Sequence, residues 1–186
     1  MRHLPSLACY TLVLLCATVP LGADVSGCAC DVTRPETLEA KECDLCKIAE
    51  AQPLEPVVFF LKDNSPRKPN RWLALPRTHG KGADPLRDMT ARQRFLLWSA
   101  AIDRAKSLWG DEWGVAINGV SARTQCHAHI HIGKLLKGIE TRHFVMVDGP
   151  AQIPVPKDDT GLWVHPQGRK LHVHLDEQAT ETVLLR

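Results

Sequence analysis

The chain has 186 residues, of which 44% are apolar and 24% charged, values that suit one globular domain with a single core. Its formal net charge is only +2, so there is no strong electrostatic case for nucleic acid as a partner. The sequence contains no internal repeat and no low-complexity tract.

Residues 1–27 have the pattern of a targeting segment. Arg2 and His3 precede an apolar run over 7–21, which is too short and too early for a membrane span and fits a secretory signal peptide. Residues 25–28, Val-Ser-Gly-Cys, also look like a bacterial lipobox, in which Cys28 would become the acylated first residue. We therefore expect an exported protein, either periplasmic or lipid-anchored at the outer face of a membrane.

The cysteines leave their chemistry open. The chain has seven, and Cys9 and Cys16 lie in the targeting segment. Five remain: Cys28, Cys30, Cys43, Cys46 and Cys126. An odd number outside the reducing cytosol argues against a simple disulfide framework. One lipidated cysteine, or a pair bound to a metal, would account for the odd number.

The first half of the chain predicts a leader, two strands and one long helix. Residues 28–42 are polar and irregular, whereas 57–61 and 72–75 are apolar and β-prone. Thr90-Ala91-Arg92-Gln93 has the form of a capping box, so we expect the helix to begin at Thr90. Apolar residues then recur at steps of three and four as far as Gly110, a natural stop.

The second half predicts three strands and a closing hairpin: 113–117, 126–132 and 143–147, then 162–164 with 171–175. Strands, one long helix and further strands predict an α+β fold with an antiparallel sheet of about five strands. Residues 43–148 would form the domain that carries the site, and residues 149–186 a small C-terminal β extension.

The predicted strand over 126–132 carries a histidine at every second position. Because successive side chains of a strand point to opposite faces, His127, His129 and His131 share one face, roughly 6–7 Å apart. A core histidine with satisfied hydrogen bonds explains one such residue but not three in register. Two readings remain for the face: a metal site, since imidazole is a common metal ligand, or covalent attack on phosphorus by a neutral imidazole.

The residues around this strand resemble the histidine-triad superfamily, whose signature is His-φ-His-φ-His-φ-φ with φ apolar. Residues 127–133 read His-Ala-His-Ile-His-Ile-Gly. Three further segments match in the family's order, and the resemblance covers about residues 41–135: Cys43-Asp44-Leu45-Cys46-Lys47-Ile48, residues 60–66 and Leu75-Pro76-Arg77-Thr78-His79. It implies the family's fold and, by analogy with small members, a homodimer.

The resemblance also implies a structural zinc ion. In zinc-bearing members the ligands match Cys43, Cys46, His79 and His127 of this sequence. Two cysteines and two histidines form a sound closed tetrahedral set, which would brace the fold rather than perform chemistry. The alternative for Cys43 and Cys46 is a disulfide or a pair of free thiols. Export strengthens this alternative, because disulfides persist outside the reducing cytosol.

The family mechanism assigns a role to each residue around the triad. His129 would attack the α-phosphorus and form a nucleotidyl-histidine intermediate, His131 would bind phosphate oxygens, and Thr124 would assist the leaving group. Asp63 would accept hydrogen bonds from ribose hydroxyls, and Asn118 matches a substrate-binding asparagine. Arg123 and Gln125 depart from the pattern of small members: Arg123 adds a cation suited to a pyrophosphate and Gln125 a polar contact.

The run Arg123-Thr124-Gln125 before the triad is similar to the bacterial CDP-diacylglycerol pyrophosphatases, a membrane-associated branch of the superfamily. That likeness favours hydrolysis of CDP-diacylglycerol to CMP and phosphatidate. The alternatives are a nucleoside phosphoramidate or dinucleotide polyphosphate hydrolase and, from another class, a non-catalytic metal-binding protein. His172 and His174 in the extension would share a strand face, which we interpret as solvated, with a second metal site as the other reading.

Overall fold

A computed structural model of the chain describes residues 25, 27–77, 79 and 85–186. The signal peptide predicted over residues 1–27 thus lies almost entirely outside the described residues. Among the residues that are described, no helix is long and apolar enough to cross a membrane.

The described chain forms three α-helices and seven strands, joined by short 3-10 turns. The helices are α1 Asp44–Glu50, α2 Pro85–Asp88 and α3 Ala91–Trp109. The strands are β1 Val58–Lys62, β2 Trp72–Pro76, β3 Trp113–Ile117, β4 Ile130–Lys134, β5 Phe144–Val147, β6 Gly161–Gln167 and β7 Lys170–Glu177.

The strands form one antiparallel sheet in the order β1-β2-β4-β3-β6-β7-β5. The α+β class with one long helix is confirmed, but the expected count of about five strands is too low. The difference arises because β6 pairs with β3, with Val115 opposite Val164. The C-terminal hairpin therefore extends the sheet that carries the histidines.

Helix α3 begins where the sequence predicts and packs on one face of the sheet. The Thr90 hydroxyl accepts a hydrogen bond from the Gln93 amide, and the Gln93 side chain accepts one from the Thr90 amide, which completes the capping box. Its buried residues, among them Leu97 and Trp98, pack with Ile130 and Ile132 of β4 in the main core. The histidine face of β4 is thereby directed away from α3.

The leader is folded against the rest of the molecule by two disulfides. Cys28 is bonded to Cys126 and Cys30 to Cys43, and Cys46 is buried and free. The expectation that the odd cysteine count argues against a simple disulfide framework is therefore wrong, because four of the five cysteines pair and one is left buried and free. A thioether-linked lipid on Cys28 is incompatible with its disulfide, so the lipobox reading does not agree with this structure.

Strand β4 is shorter than the predicted strand over 126–132. Its ladder begins only at Ile130, because the Cys126 amide donates to the Glu42 carbonyl oxygen of the leader at 2.8 Å. Ala128 nevertheless lies in the α3 core together with Ile130, so the predicted alternation of faces is kept across the irregular residues.

Candidate functional site

The three histidines of the triad are buried on the sheet face opposite α3. His127 is 2% exposed, and His129 and His131 are each 6% exposed. The rings of His129 and His131 meet edge to face, with centroids 4.9 Å apart. His127 turns away from these two rings and packs against His79 instead, at 4.7 Å.

A backbone hydrogen bond fixes the tautomer of His129. Its Nδ1–H donates to the His127 carbonyl oxygen at 2.8 Å. Because a carbonyl can only accept, the neutral ring keeps its lone pair on Nε2. Burial lowers the pKa of His129, and the positive charge of Arg123 lowers it further, so the ring stays neutral near pH 7. A neutral imidazole with a directed lone pair is the form that can act as a nucleophile.

His129 and His131 line an open cavity of about 530 Å³. Four other predicted site residues also line it: Asp63, Asn118, Thr124 and Gln125. Its wall further includes cationic side chains that the sequence analysis did not single out: Lys47, Arg67 and Lys68. Three carboxylates line the same wall: Asp44, Asp63 and Glu181. The volume suits a small-molecule ligand, and the mixed charges suit one that carries anionic groups together with hydrogen-bond donors.

A carboxylate from the end of the chain reaches this cavity beside His131. Glu181 Oε2 lies 3.5 Å from His131 Nδ1, and Asn118 Nδ2 lies 3.5 Å from His131 Nε2. Asn118 is held in turn by the Glu181 amide, which donates to its Oδ1 at 3.0 Å. Burial, with a smaller contribution from His129, lowers the pKa of His131 to about 3, so this ring is neutral as well.

Glu181 is a site residue that sequence reasoning missed. Its Oε2 accepts hydrogen bonds from Lys68 Nζ at 2.5 Å and from the buried Arg71 Nη1 at 2.6 Å. Burial alone would raise the pKa of Glu181, but His131, Lys68 and Arg71 together lower it to about 2. The carboxylate is therefore ionised. Nothing in the local sequence distinguishes Glu181 from a surface residue, since its partners are more than 45 residues away in the chain.

The structure gives several predicted substrate-binding residues partners within the protein. Gln125 Oε1 accepts from the Leu45 amide at 3.0 Å, and its Nε2 donates to the Lys41 carbonyl oxygen at 2.8 Å. Asp63 Oδ1 accepts from the Ser65 amide at 2.9 Å and leaves Oδ2 for another donor. Gln125 thus positions the start of α1, whereas Asp63 retains acceptor capacity toward the cavity.

Arg123 lies beside the main cavity and does not line it. It is buried, at 6% exposure, and lines a small neighbouring pocket with Asn118, Asp159 and Thr160. Its charge still acts on His129, whose pKa it lowers. The pyrophosphate contact expected for Arg123 stays a prediction.

The four-ligand zinc set is corrected by the structure. Cys43 is bonded to Cys30, so its sulfur is not a free thiolate. Cys46, His79 and His127 remain together, with one candidate ligand atom from each lying within 4.8 Å of the others. His127 Nε2–H donates to the Pro76 carbonyl oxygen at 2.8 Å, and its buried Nδ1 has no hydrogen-bond partner.

These three residues offer one sulfur and two nitrogens, which suits a transition-metal ion. Burial raises the pKa of the Cys46 thiol to about 11, so a metal ion would have to displace its proton. The Nε2 of His79 lies 2.7 Å from Glu50 Oε1, a carboxylate partner of the kind that orients a histidine ligand. Three ligands are therefore available to a metal ion here, rather than the four that the resemblance implies.

Models of known protein families do not match this chain, and a search of curated proteins finds no relative with significant similarity.

Proposed function

We propose that this protein is a histidine-triad hydrolase that cleaves a nucleotide phosphoanhydride through a nucleotidyl-histidine intermediate. One observation carries the proposal: the Nδ1 hydrogen bond leaves the lone pair of His129 on Nε2, and His129 lines a cavity that also presents Arg67 and Lys68. A histidine buried only for packing needs no such cavity.

The reaction has two steps, and His129 takes part in both. In the first, Nε2 attacks the α-phosphorus, an N–P bond forms, and the bond from phosphorus to the bridging oxygen breaks. The Thr124 hydroxyl, which lies on the cavity wall, would hydrogen-bond the departing oxygen, which leaves as a phosphate monoester. In the second, water cleaves the N–P bond, releasing the nucleoside monophosphate and restoring neutral His129.

The other polar groups of the cavity would bind the substrate and its developing charge. His131 would contact phosphate oxygens, with Glu181 and Asn118 holding its ring in place. Lys68 and Arg67 supply positive charge for the phosphates, while Asp63 would accept hydrogen bonds from ribose hydroxyls. Such fixed donors and charges stabilise a phosphoryl transition state because they need no reorganisation during the reaction.

A metal ion on Cys46, His79 and His127 would have a bracing role. His127 connects this ligand set to the cavity, because it precedes His129 by two residues and its ring packs on His79. The partnerless Nδ1 of His127 also favours a second candidate function, that of a non-catalytic metal-binding protein. Turnover of a phosphoanhydride substrate, lost in His129→Ala, would distinguish the hydrolase from the non-catalytic metal-binding protein.

The favoured substrate is CDP-diacylglycerol, cleaved to CMP and phosphatidate, with an adenosine phosphoramidate or a dinucleotide polyphosphate as the alternatives. Two disulfides are typical of proteins outside the reducing cytosol, which supports export. Export separates a protein from cytosolic nucleotides, whereas a nucleotide carried on a membrane lipid stays within reach. We further propose that the protein contacts the membrane surface and forms a homodimer, as small triad proteins commonly do.

The nucleophile is tested by His129→Ala, with His143→Ala as the control, since His143 has an exposed side chain. His129→Ala should reduce kcat at least 1000-fold, because the attacking nitrogen is lost. His131→Ala should retain part of the activity, and His143→Ala all of it. Quenching wild-type protein in alkaline SDS, in which an N–P bond survives, should trap label from substrate radiolabelled at the α-phosphate on residue 129. Turnover by His129→Ala within tenfold of wild type would overturn the covalent mechanism.

A further inference from the structure

Three buried histidines meet on the C-terminal hairpin, away from the triad. In the β6–β7 ladder His165 is paired with His172, and His174 is the next residue of β7 on the same face. They are 5%, 6% and 0% exposed, so the expectation of a solvated face is wrong. Glu140, in the segment before β5, brings a carboxylate to the same place.

The donor atoms of these four residues converge. His165 Nε2 and His174 Nε2 lie 3.2 Å apart, and Glu140 Oε2 lies 3.6 Å from His174 Nε2 and 3.8 Å from His172 Nδ1. Around a tetrahedral ion with bonds of about 2.0–2.1 Å, neighbouring ligand atoms are roughly 3.3–3.4 Å apart. The observed separations bracket that value.

The outer nitrogens are held as they usually are in metal sites. His165 Nδ1–H donates to the Pro166 carbonyl oxygen at 3.1 Å, which leaves its lone pair on Nε2. His174 Nδ1 lies 2.7 Å from the Thr141 hydroxyl oxygen. If this nitrogen donates, both Nε2 lone pairs face each other at 3.2 Å and need a cation between them. Such outer-shell hydrogen bonds fix the tautomer of histidine ligands.

A hydrogen-bonded cluster without metal is the competing explanation. Thr141 could donate to His174 Nδ1, and His174 Nε2–H could donate to His165 Nε2, which would satisfy those two rings. His172 does not fit this scheme, because both of its nitrogens are buried and have no hydrogen-bond partner. A buried polar atom without a partner is unfavourable, because it has lost its hydrogen bonds to water and gained none in the protein. A bound cation would remove that cost for the nitrogen that it takes.

The surroundings support a preformed site with one open side. Trp163 stacks on His174 with centroids 3.6 Å apart, and Phe144 packs edge-on against His172 at 4.1 Å. These rings limit the freedom of the imidazoles. Glu140 has a side chain that is 61% exposed, so an ion could enter from its side.

We propose that Glu140, His165, His172 and His174 bind a divalent first-row transition-metal ion such as Zn²⁺. Three imidazoles and one carboxylate without sulfur suit Zn²⁺, Co²⁺ or Ni²⁺ rather than Ca²⁺ or Mg²⁺, which prefer oxygen ligands. This site is separate from the triad. Ala116 and Trp163 stand between His131 and His174 in one row across the sheet, three strand steps or roughly 14 Å.

The experiment is a Co²⁺ titration of metal-free Cys46→Ser protein, in which the other candidate metal set has lost its thiolate. We expect one Co²⁺ per chain, with visible ligand-field bands and no thiolate-to-cobalt charge-transfer band. His172→Ala in the same background should weaken binding at least 100-fold, and Glu140→Gln at least tenfold. His143→Ala is the matched control and should bind as tightly as the parent.

Glu140→Gln keeps the test independent of folding, because this exposed carboxylate is not needed for the core. Far-UV circular dichroism should confirm that each variant is folded. The proposal is overturned if the Cys46→Ser protein binds no Co²⁺, or if Glu140→Gln and His172→Ala bind it as tightly as His143→Ala. Phosphoanhydride hydrolysis does not enter these measurements, so they stand apart from the proposed function.

Discussion

Glu181 connects the C-terminal segment to the histidine site through charge. Its carboxylate accepts from Lys68 and from Arg71, whose side chain also donates to the carbonyl oxygens of Leu184 and Leu185. Arg71 is 1% exposed, and a buried cation without its partner is strongly destabilising. The same carboxylate stands beside His131, so stability and site geometry depend on one residue.

The first prediction is a pH dependence of stability that depends on Glu181. Its pKa falls from 4.5 to about 2 on folding, so the folded state binds this proton more weakly than the unfolded state. The stabilisation is therefore complete above the unfolded pKa and is lost as the pH falls toward the folded pKa. The advantage of wild type over Glu181→Gln in unfolding free energy should shrink by about 2 kcal/mol between pH 6 and pH 3.

Urea unfolding at several pH values measures this difference. Glu36→Gln serves as the control, since Glu36 is exposed and its replacement should leave the pH profile unchanged. If the difference in unfolding free energy between wild type and Glu181→Gln stays constant from pH 6 to pH 3, folding does not lower the pKa of Glu181.

At the scale of elements, the segment before β4 joins the leader to the triad. Cys126 is covalently bonded to Cys28 and donates its amide hydrogen to Glu42, and Gln125 holds the first turn of α1. Cys126 is followed directly by His127, whose ring faces His79. The leader thus supports the segment just before β4, in which the proposed nucleophile His129 lies.

The second prediction is that the Cys28–Cys126 disulfide stabilises the protein by constraining the unfolded chain. It joins residues 98 apart in sequence, and closing so long a loop in the unfolded chain is worth about 4–5 kcal/mol. The double variant Cys28→Ser, Cys126→Ser should lose about this much unfolding free energy. Adding a reductant should destabilise wild type more than it destabilises the double variant.

Cys46→Ser is the control for this experiment, because Cys46 is a buried free thiol whose loss leaves both disulfides in place. Its response to reductant should match that of wild type. Peptide mapping without reduction should recover the Cys28–Cys126 and Cys30–Cys43 pairs, and recovery of a Cys43–Cys46 bond instead would contradict the structure.

At the scale of the whole molecule, local patterns predicted the elements well and long-range pairing poorly. The capping box at Thr90 and the period-two alternation of 128–132 are local signals, and both are confirmed. The joining of β6 to β3, the cysteine pairing and the arrival of Glu181 at His131 depend on distant residues. The extension accordingly contributes to the candidate site in a way that no local pattern indicated.

The third prediction concerns the substrate, which engages the whole cavity and its rim. Lys47, Arg67 and Lys68 line the cavity and suit a pyrophosphate, while Ile48 lines it too and is 37% exposed. An exposed apolar residue on the wall of a cavity that also presents these cations suits an anionic head group that carries acyl chains. We expect kcat/KM for CDP-diacylglycerol in mixed micelles to exceed that for an adenosine phosphoramidate or a diadenosine polyphosphate at least tenfold.

CDP-glycerol separates the head group from the lipid in this comparison, because it has the same pyrophosphate and no acyl chains. Ile48→Glu should lower kcat/KM for CDP-diacylglycerol about tenfold, or about 1.4 kcal/mol, because it places a charge where the chains would lie. It should leave CDP-glycerol hydrolysis within twofold of wild type, and Ile48→Leu should leave both unchanged. A preference for either adenosine compound would overturn the substrate assignment but not the proposed covalent mechanism, since His129 Nε2 would attack the α-phosphorus in each case.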